Sequence, residues 1–233
     1  MCDRSWDYIH QLVDDYEGRE GIFSFVNPYS MMKLKNQGDW LKKVDGWHVD
    51  GISLVKWLSW SLGRPLNRYS FDDTSLAPIV FGRACQEAWR VVLIGSDSIS
   101  IENSVRKLKE QYDLNIVYFR NGFFSGLLER ESCLMQINEL NPDLVVVGMG
   151  APLQEKFLVD LVGLGWRGRG YTCGGYFHQL GGSVDYAYYP NWMNKMNLRW
   201  LFRMVDEPKL IRRYMLDYPI FFMTALYRWF VCG

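Results

Sequence analysis

Apolar positions along the chain fall into two alternating periods. Short apolar runs at residues 22–26, 46–49, 91–94, 115–119 and 144–147 are closed by glycine, asparagine or aspartate. Continuous runs of this length predict buried strands that feed tight loops. Between them the period becomes helical. Ile101, Val105, Leu108 and Tyr112 fall on one helix face, and a second helix runs through Ile52, Leu54, Val55, Leu58 and Leu62 until Gly63-Arg64-Pro65 stops it. Leu134 and Ile137 mark a helix over 127–140, ended by Asn141-Pro142, and a further helix is expected over 29–37 after Asn27-Pro28. The polar stretch 68–74 reads as a loop and helix start. Strands near 91, 115 and 143 separated by amphipathic helices predict successive right-handed βαβ units. The expected class is α/β, with a Rossmann-like parallel sheet as core.

The run 144–147 leads into Gly148-Met149-Gly150-Ala151-Pro152-Leu153-Gln154-Glu155-Lys156. Glycines here let backbone approach a ligand, and Pro152 suits the first turn of a helix. Gln154 and Glu155 would then project at the carboxyl end of a strand, where open α/β sheets bind ligands. An ordinary strand-to-helix turn accounts for the spacing equally well.

The pattern changes after Gly181-Gly182. Tyr186, Tyr188, Tyr189, Trp192 and Trp200 are interleaved with Arg199 and Arg203, and an apolar stretch spans 219–226. The chain balances 26 lysines and arginines against 26 aspartates and glutamates, so no global field draws it to nucleic acid or membrane. Between Lys195 and Arg213, however, six cations stand against two acids, a local net charge of +4. A solvated surface, a single-stranded nucleic-acid patch and a membrane-surface element are the three readings. The apolar run favours the membrane surface, beside anionic lipid, over nucleic acid. That run is far shorter than the roughly 20 residues that span a bilayer. The boundary is placed at 194/195, giving a core over 1–194 and a helical, basic-aromatic, membrane-associating appendage over 195–233.

Five scattered cysteines without a CxxC pair argue against a disulfide framework or structural zinc, and fit a reducing compartment. The three histidines have no ligand spacing, so a protein-held metal is not expected. The N-terminal segment lacks the apolar centre of a signal peptide. The expected location is therefore cytoplasmic, peripheral on the inner face of the cell membrane.

Two further positions carry candidate chemistry. The Gly95-Ser96-Asp97-Ser98 loop follows a strand and could receive a phosphate at a helix N-terminus, although it is neither GxGxxG nor a Walker loop. Without that fingerprint, or an acid placed to bind a ribose, a dinucleotide oxidoreductase is disfavoured. Asp50, before Gly51, is either a helix N-cap or a general base at the carboxyl edge of the sheet; spacing alone favours the cap.

An ordered set of blocks then resembles the WecG/TagA/CpsF glycosyltransferases. They are Asn27-Pro28, Asp50-Gly51-Ile52, residues 68–73, Gly95 after a strand, Asn121-Gly122-Phe123-Phe124, Asn141-Pro142-Asp143 and residues 148–156. Pro190-Asn191-Trp192, residues 198–203, Glu207-Pro208 and Arg212-Arg213-Tyr214 complete the set. The resemblance covers residues 22–222. It implies an inverting, metal-independent transfer, with no cofactor, from a nucleotide-sugar donor, UDP-linked, to an undecaprenyl-diphosphate-linked saccharide acceptor. The setting would be exopolysaccharide, capsule or cell-wall polymer synthesis. It makes Asp50 the base and puts Gln154 and Glu155 near the donor. It turns Arg203, Arg212 and Arg213 toward a diphosphate. Asn27, Arg68, Asp73, Gly95, Ser96, Gly148, Gly150 and His178 are the other expected substrate-binding positions. A homo-oligomer in solution and a monomer on the membrane are both compatible with it.

Three departures stand out. Phe25 replaces the family's threonine, His178 replaces an aspartate in Gly175-Tyr176-Phe177-His178-Gln179, and Tyr188-Tyr189-Pro190 replaces Arg-Ala-Pro. They point away from N-acetylmannosamine as donor and toward a hexose or uronic acid. A non-catalytic nucleotide-binding scaffold is the alternative reading.

Overall fold

A computed structural model of the protein describes residues 12–13, 18–182, 201, 204 and 208–232. The aromatic segment 186–200, Lys195, Arg199, Arg203 and the expected boundary at 194/195 lie outside the described residues. Six strands, β1 (Gly21–Val26), β2 (Gly46–Val49), β3 (Val91–Gly95), β4 (Ile116–Arg120), β5 (Leu144–Gly148) and β6 (Arg169–Thr172), form one sheet. Its order is β2-β1-β6-β5-β3-β4, and every pairing is parallel. Parallel strands need crossovers, and the amphipathic segments between the runs supply them.

Side chains alternate across the sheet, so each strand feeds two cores. Ile22, Val92, Ile94, Val145 and Val147 pack against α1 (Pro28–Leu34), α2 (Ile52–Leu62), α5 (Leu127–Leu140) and α6 (Leu153–Gly163). Phe23, Val91, Leu93, Leu144 and Val146 face α3 (Leu76–Gln86), α4 (Ser98–Tyr112) and α7 (Tyr176–Gly182). This three-layer arrangement buries both faces, which is why the strands read as unbroken apolar runs.

The C-terminal segment is helical from α8 (Lys209–Arg212), through a π-helical stretch at Arg213–Asp217, into α9 (Tyr218–Cys232). Phe221 and Ala225 of α9 enter the same core as α2 and α6. Among the described residues no helix is long and apolar enough to cross a membrane.

Several elements depart from the sequence expectations. α1 ends at Leu34 rather than near 37, and a 3-10 turn at Asp39–Lys43 follows. β6, α3 and α7 were not expected. β6 reads Arg-Gly-Tyr-Thr, with no apolar run, because Gly170 makes room for Leu158 of α6; a Cβ there would meet Leu158 Cδ2 at 3.0 Å. α3 contains Pro78 and Gly82, both breakers by rule. Pro78 falls in the first turn, where no amide donor is needed.

α7 lies against α4 at close range. Ser104 Oγ donates to the Phe177 carbonyl at 2.8 Å, and a Cβ on Gly181 would meet the Ser100 carbonyl oxygen at 2.2 Å. Gly181→Ala must therefore push α7 away from α4. The expected loss is about 2 kcal/mol, in the range of overpacked sites, read as a lower urea midpoint with unchanged slope.

Candidate active site

All six strands end at one cleft of about 1000 Å³. Asn27 follows β1, Asp50 follows β2, Ser96 and Asp97 follow β3, and Gly122 follows β4; Gly148 ends β5 and Cys173 follows β6, all lining it. The carboxyl ends of parallel strands are the ligand side of such sheets, and the size lies at the upper end of small-molecule pockets. From the C-terminal segment Leu210, Arg213, Tyr214, Met215 and Tyr218 close the far wall.

Close backbone approach shapes the floor. Gly95 has φ +155°, and a Cβ there would meet the Gly148 carbonyl oxygen at 2.5 Å. The ends of β3 and β5 therefore meet on glycine alone. Two loops are tied together by one side chain. Gln154 Oε1 accepts from the amides of Gly150 and Gly174, both at 3.1 Å, while its Nε2 donates to Glu155 Oε1 at 2.9 Å. Glu155 is fully buried under the sheet end, where Ser24 Oγ donates to Oε1 at 2.8 Å and lies 2.8 Å from Thr172 Oγ1. Burial pushes the Glu155 carboxyl up, toward its neutral form. Gln154 thus lines the cleft, whereas Glu155 supports it from beneath.

Asp50 does not cap α2. Gly51 holds the cap position at φ +94°, with no side-chain hydrogen bond. The Asp50 carboxylate turns instead into the cleft and accepts from Arg68 Nη1 at 3.3 Å. The two side chains are 34 and 23% exposed, a partly desolvated pair at a cleft wall. Arg68 is delivered by the loop after α2, which joins the end of β2 through Tyr69 N–H to the Val49 carbonyl.

The next acids separate. Asp72 lines the cleft and accepts from Ser70 Oγ at 2.7 Å. Asp73 points away and accepts from Tyr176 Oη at 2.6 Å, pinning the loop to α7. Burial raises the Asp73 carboxyl to about 6, against the opposing pull of that hydrogen bond. After β3, Asp97 caps α4 by accepting from Ser100 N and Oγ at 2.9 and 2.7 Å, and these bonds hold it down to about 2. The N-terminus of α4 is therefore already met by a carboxylate of its own chain. His178 Nδ1 lies 3.8 Å from Asp97 Oδ2. Arg213 stacks over Tyr29, its guanidinium carbon 3.9 Å from the ring centroid.

The cleft gathers Asp50, Asn27, Arg68, Ser96, Gly148, Gly150, Gln154, His178 and Arg213 from the expected set. Gly95, Asp73, Glu155 and Arg212 do not line it. Arg212 is exposed one helical step away, and Arg203 lies outside the described residues. Sequence reasoning missed Asp72, Tyr29, Tyr214 and the Thr172–Gly174 wall. The wall was hidden with β6, and Asp72 was one position from the acid chosen. Among the described residues no three His, Cys, Asp or Glu side chains gather to hold a metal ion.

The raised Asp73 carboxyl gives a signed expectation. A group whose folded value exceeds its unfolded one contributes stability that is complete below about 4 and is lost as pH rises through about 6. Thermal melts of wild type and Asp73→Asn at pH 5 and pH 7.5 should differ in that sense. Wild type loses ground to the variant at the higher pH; a pH-independent gap would contradict the assignment.

A family model described as the Glycosyl transferase WecG/TagA/CpsF family matches residues 2–231. The chain is 34% identical over 207 residues to the UDP-Gal:alpha-D-GlcNAc-diphosphoundecaprenol beta-1,4-galactosyltransferase of Shigella boydii, covering 88% of this chain and 86% of that one. It is 29% identical over 225 residues to the N-acetylglucosaminyldiphosphoundecaprenol N-acetyl-beta-D-mannosaminyltransferase of Bacillus subtilis (strain 168), covering 94 and 84%. A cleft built where α/β enzymes bind their substrates, together with a family match over nearly the whole chain, establishes that this protein belongs to the WecG/TagA/CpsF family of glycosyltransferases.

Proposed function

We propose that the protein transfers a hexose from a UDP-sugar to an N-acetylglucosaminyl-diphosphoundecaprenol acceptor, with inversion and without a metal ion. The observation that carries this is the placement of Asp50 in the cleft rather than at the cap of α2. Freed from capping, the carboxylate is available to take the proton of the acceptor hydroxyl as that oxygen attacks the anomeric carbon. Arg68 orients it.

Both relatives are named for a diphosphoundecaprenol-linked N-acetylglucosamine and a β-linked product. A β product from an α-linked nucleotide-sugar requires inversion, which one base and one in-line displacement accomplish. The higher identity to the galactosyltransferase supports a hexose donor. Arg68 and Arg213 suit the donor or acceptor diphosphate, where guanidinium forks match phosphate oxygens. With Arg213 available to neutralise a leaving diphosphate, the reading needs no metal. The amides and glycines of the 148–152 and 173–175 loops suit close approach of the nucleotide, and Asp97 and His178 suit its hydroxyl and amide groups. Residues 195–233 would act as an appendage that docks on anionic lipid at the inner face of the cell membrane and closes the cleft.

The test is transfer by purified protein with EDTA present, a panel of UDP- and GDP-sugars, and polyprenyl-diphosphate-linked N-acetylglucosamine. Turnover with a UDP-hexose is expected. Asp50→Asn should lower kcat by about 10²–10⁴-fold, the scale of a lost general base, while UDP binding by calorimetry stays unchanged. Turnover that disappears with EDTA, or with UDP-N-acetylmannosamine as sole donor, would sink the corresponding part of the reading.

A further inference from the structure

Helix α9 is apolar over most of its circumference, interrupted only by the Thr224–Arg228 line, a pattern sustained when protein or lipid encloses it. Protein encloses one side, at Phe221 and Ala225. The other side presents Met223, Tyr227 and Phe230 at 63, 68 and 70% exposure.

That open side does not stop at α9. Trp229 packs on Trp60 of α2 with ring centroids 4.7 Å apart, and Trp60 on Trp57 at 5.3 Å. Trp57 in turn meets Phe222 edge-on at 6.1 Å. Trp60 is 55% exposed on the side of α2 away from Leu54, Val55 and Leu58, which pack into the core. Neither helix contains an acidic residue; each contributes one cation, Lys56 and Arg228, and Arg64 follows α2.

We infer that α2 and α9 form one docking face for an anionic bilayer surface, anchored by Trp60 as well as by the C-terminal segment. This rests on the membrane reading above and extends it into the core. Lipid fits the charge pattern where a second copy does not. A two-fold contact through this face would set Lys56 and Arg64 against their own copies with no acid on either helix to pair them. Anionic headgroups supply the missing charge. The apolar part of the C-terminal rod, Tyr218–Cys232, is about 22 Å long, short of the roughly 30 Å hydrocarbon layer, and the turns before it carry Lys209, Arg212, Arg213 and Asp217. It therefore lies along the surface, with tryptophans at headgroup depth, as at membrane interfaces generally.

The arrangement has a metric consequence for catalysis. Asp50 stands two residues before α2, and Trp60 lies eight residues into the helix from Ile52, or about 12 Å along the axis. Seating Trp60 in the surface would therefore keep the proposed base within about 20 Å of that side chain's anchor point whatever the tilt of α2.

The experiment is flotation of the full chain with vesicles of equimolar phosphatidylglycerol and phosphatidylcholine. Trp60→Glu should lower partitioning by about tenfold, an amount equivalent to about 1.4 kcal/mol. Trp60→Phe should partition like wild type, and both should keep the wild-type UDP affinity. Lys56→Glu should weaken binding to these vesicles but not to pure phosphatidylcholine; should Trp60→Glu not fold, this variant carries the test. Wild-type partitioning by Trp60→Glu, alongside detachment of Met223→Glu/Phe230→Glu, would confine docking to α9 and overturn the inference while leaving the membrane reading intact. Failure of the wild type to float would remove both. A halved mass of Trp60→Glu in light scattering, with vesicle binding unchanged, would assign the face to a second copy and overturn it.

Discussion

The carboxyl group of Glu155 holds the floor of the cleft together. It is buried where β1, β6 and α6 converge, and it accepts from Ser24 and Gln154 at once. Gln154 can then spend its own carbonyl on the amides of Gly150 and Gly174, which belong to different loops. Without that anchor the amide group of Gln154 would be free to rotate, and the two loops would lose their shared partner. A buried acid is costly unless it is neutral and bonded, and burial drives this one toward the neutral form. The cleft walls are thus referenced to the interior of the sheet rather than to solvent.

Much of the fold was legible because parallel sheets leave an unambiguous trace. Val91–Gly95 and Leu144–Gly148 are buried on both faces, so every position is apolar and the run cannot be mistaken. β6 occupies an equally central place, between β1 and β5, yet left no trace. Its Gly170 is there to admit Leu158, a requirement of packing between elements that no local pattern encodes. α3 was hidden for a related reason, since its breakers fall where the packed helix tolerates them.

The site was legible at the level of loops and less so at the level of single side chains. The Asp-Gly pair was visible, but whether Asp50 would cap or face the cleft depends on Gly51 taking a left-handed conformation and on Arg68 arriving from 18 residues away. Asp72 and Asp73 are indistinguishable in sequence, and Tyr176, about a hundred residues on, decides which one turns inward. Arg212 and Arg213 part company for a similar reason. Tyr29 offers a ring for one guanidinium, and the other is left in solvent.

The π-helical stretch at Arg213–Asp217 acts as an angular spacer. A turn closed five residues apart takes up one residue more than an α-turn, roughly 100° of helical phase. Leu210 upstream of it and Tyr214 within it look into the cleft; downstream Phe221 and Ala225 look into the core. One extra residue keeps both sets on the same side of a continuous rod. Chain length between residues 213 and 217 is therefore constrained more strictly than residue identity. Any change of side chain there alters one contact, whereas a single deletion would rotate the whole of α9, presenting its core-facing residues outward and driving its exterior aromatics into the sheet.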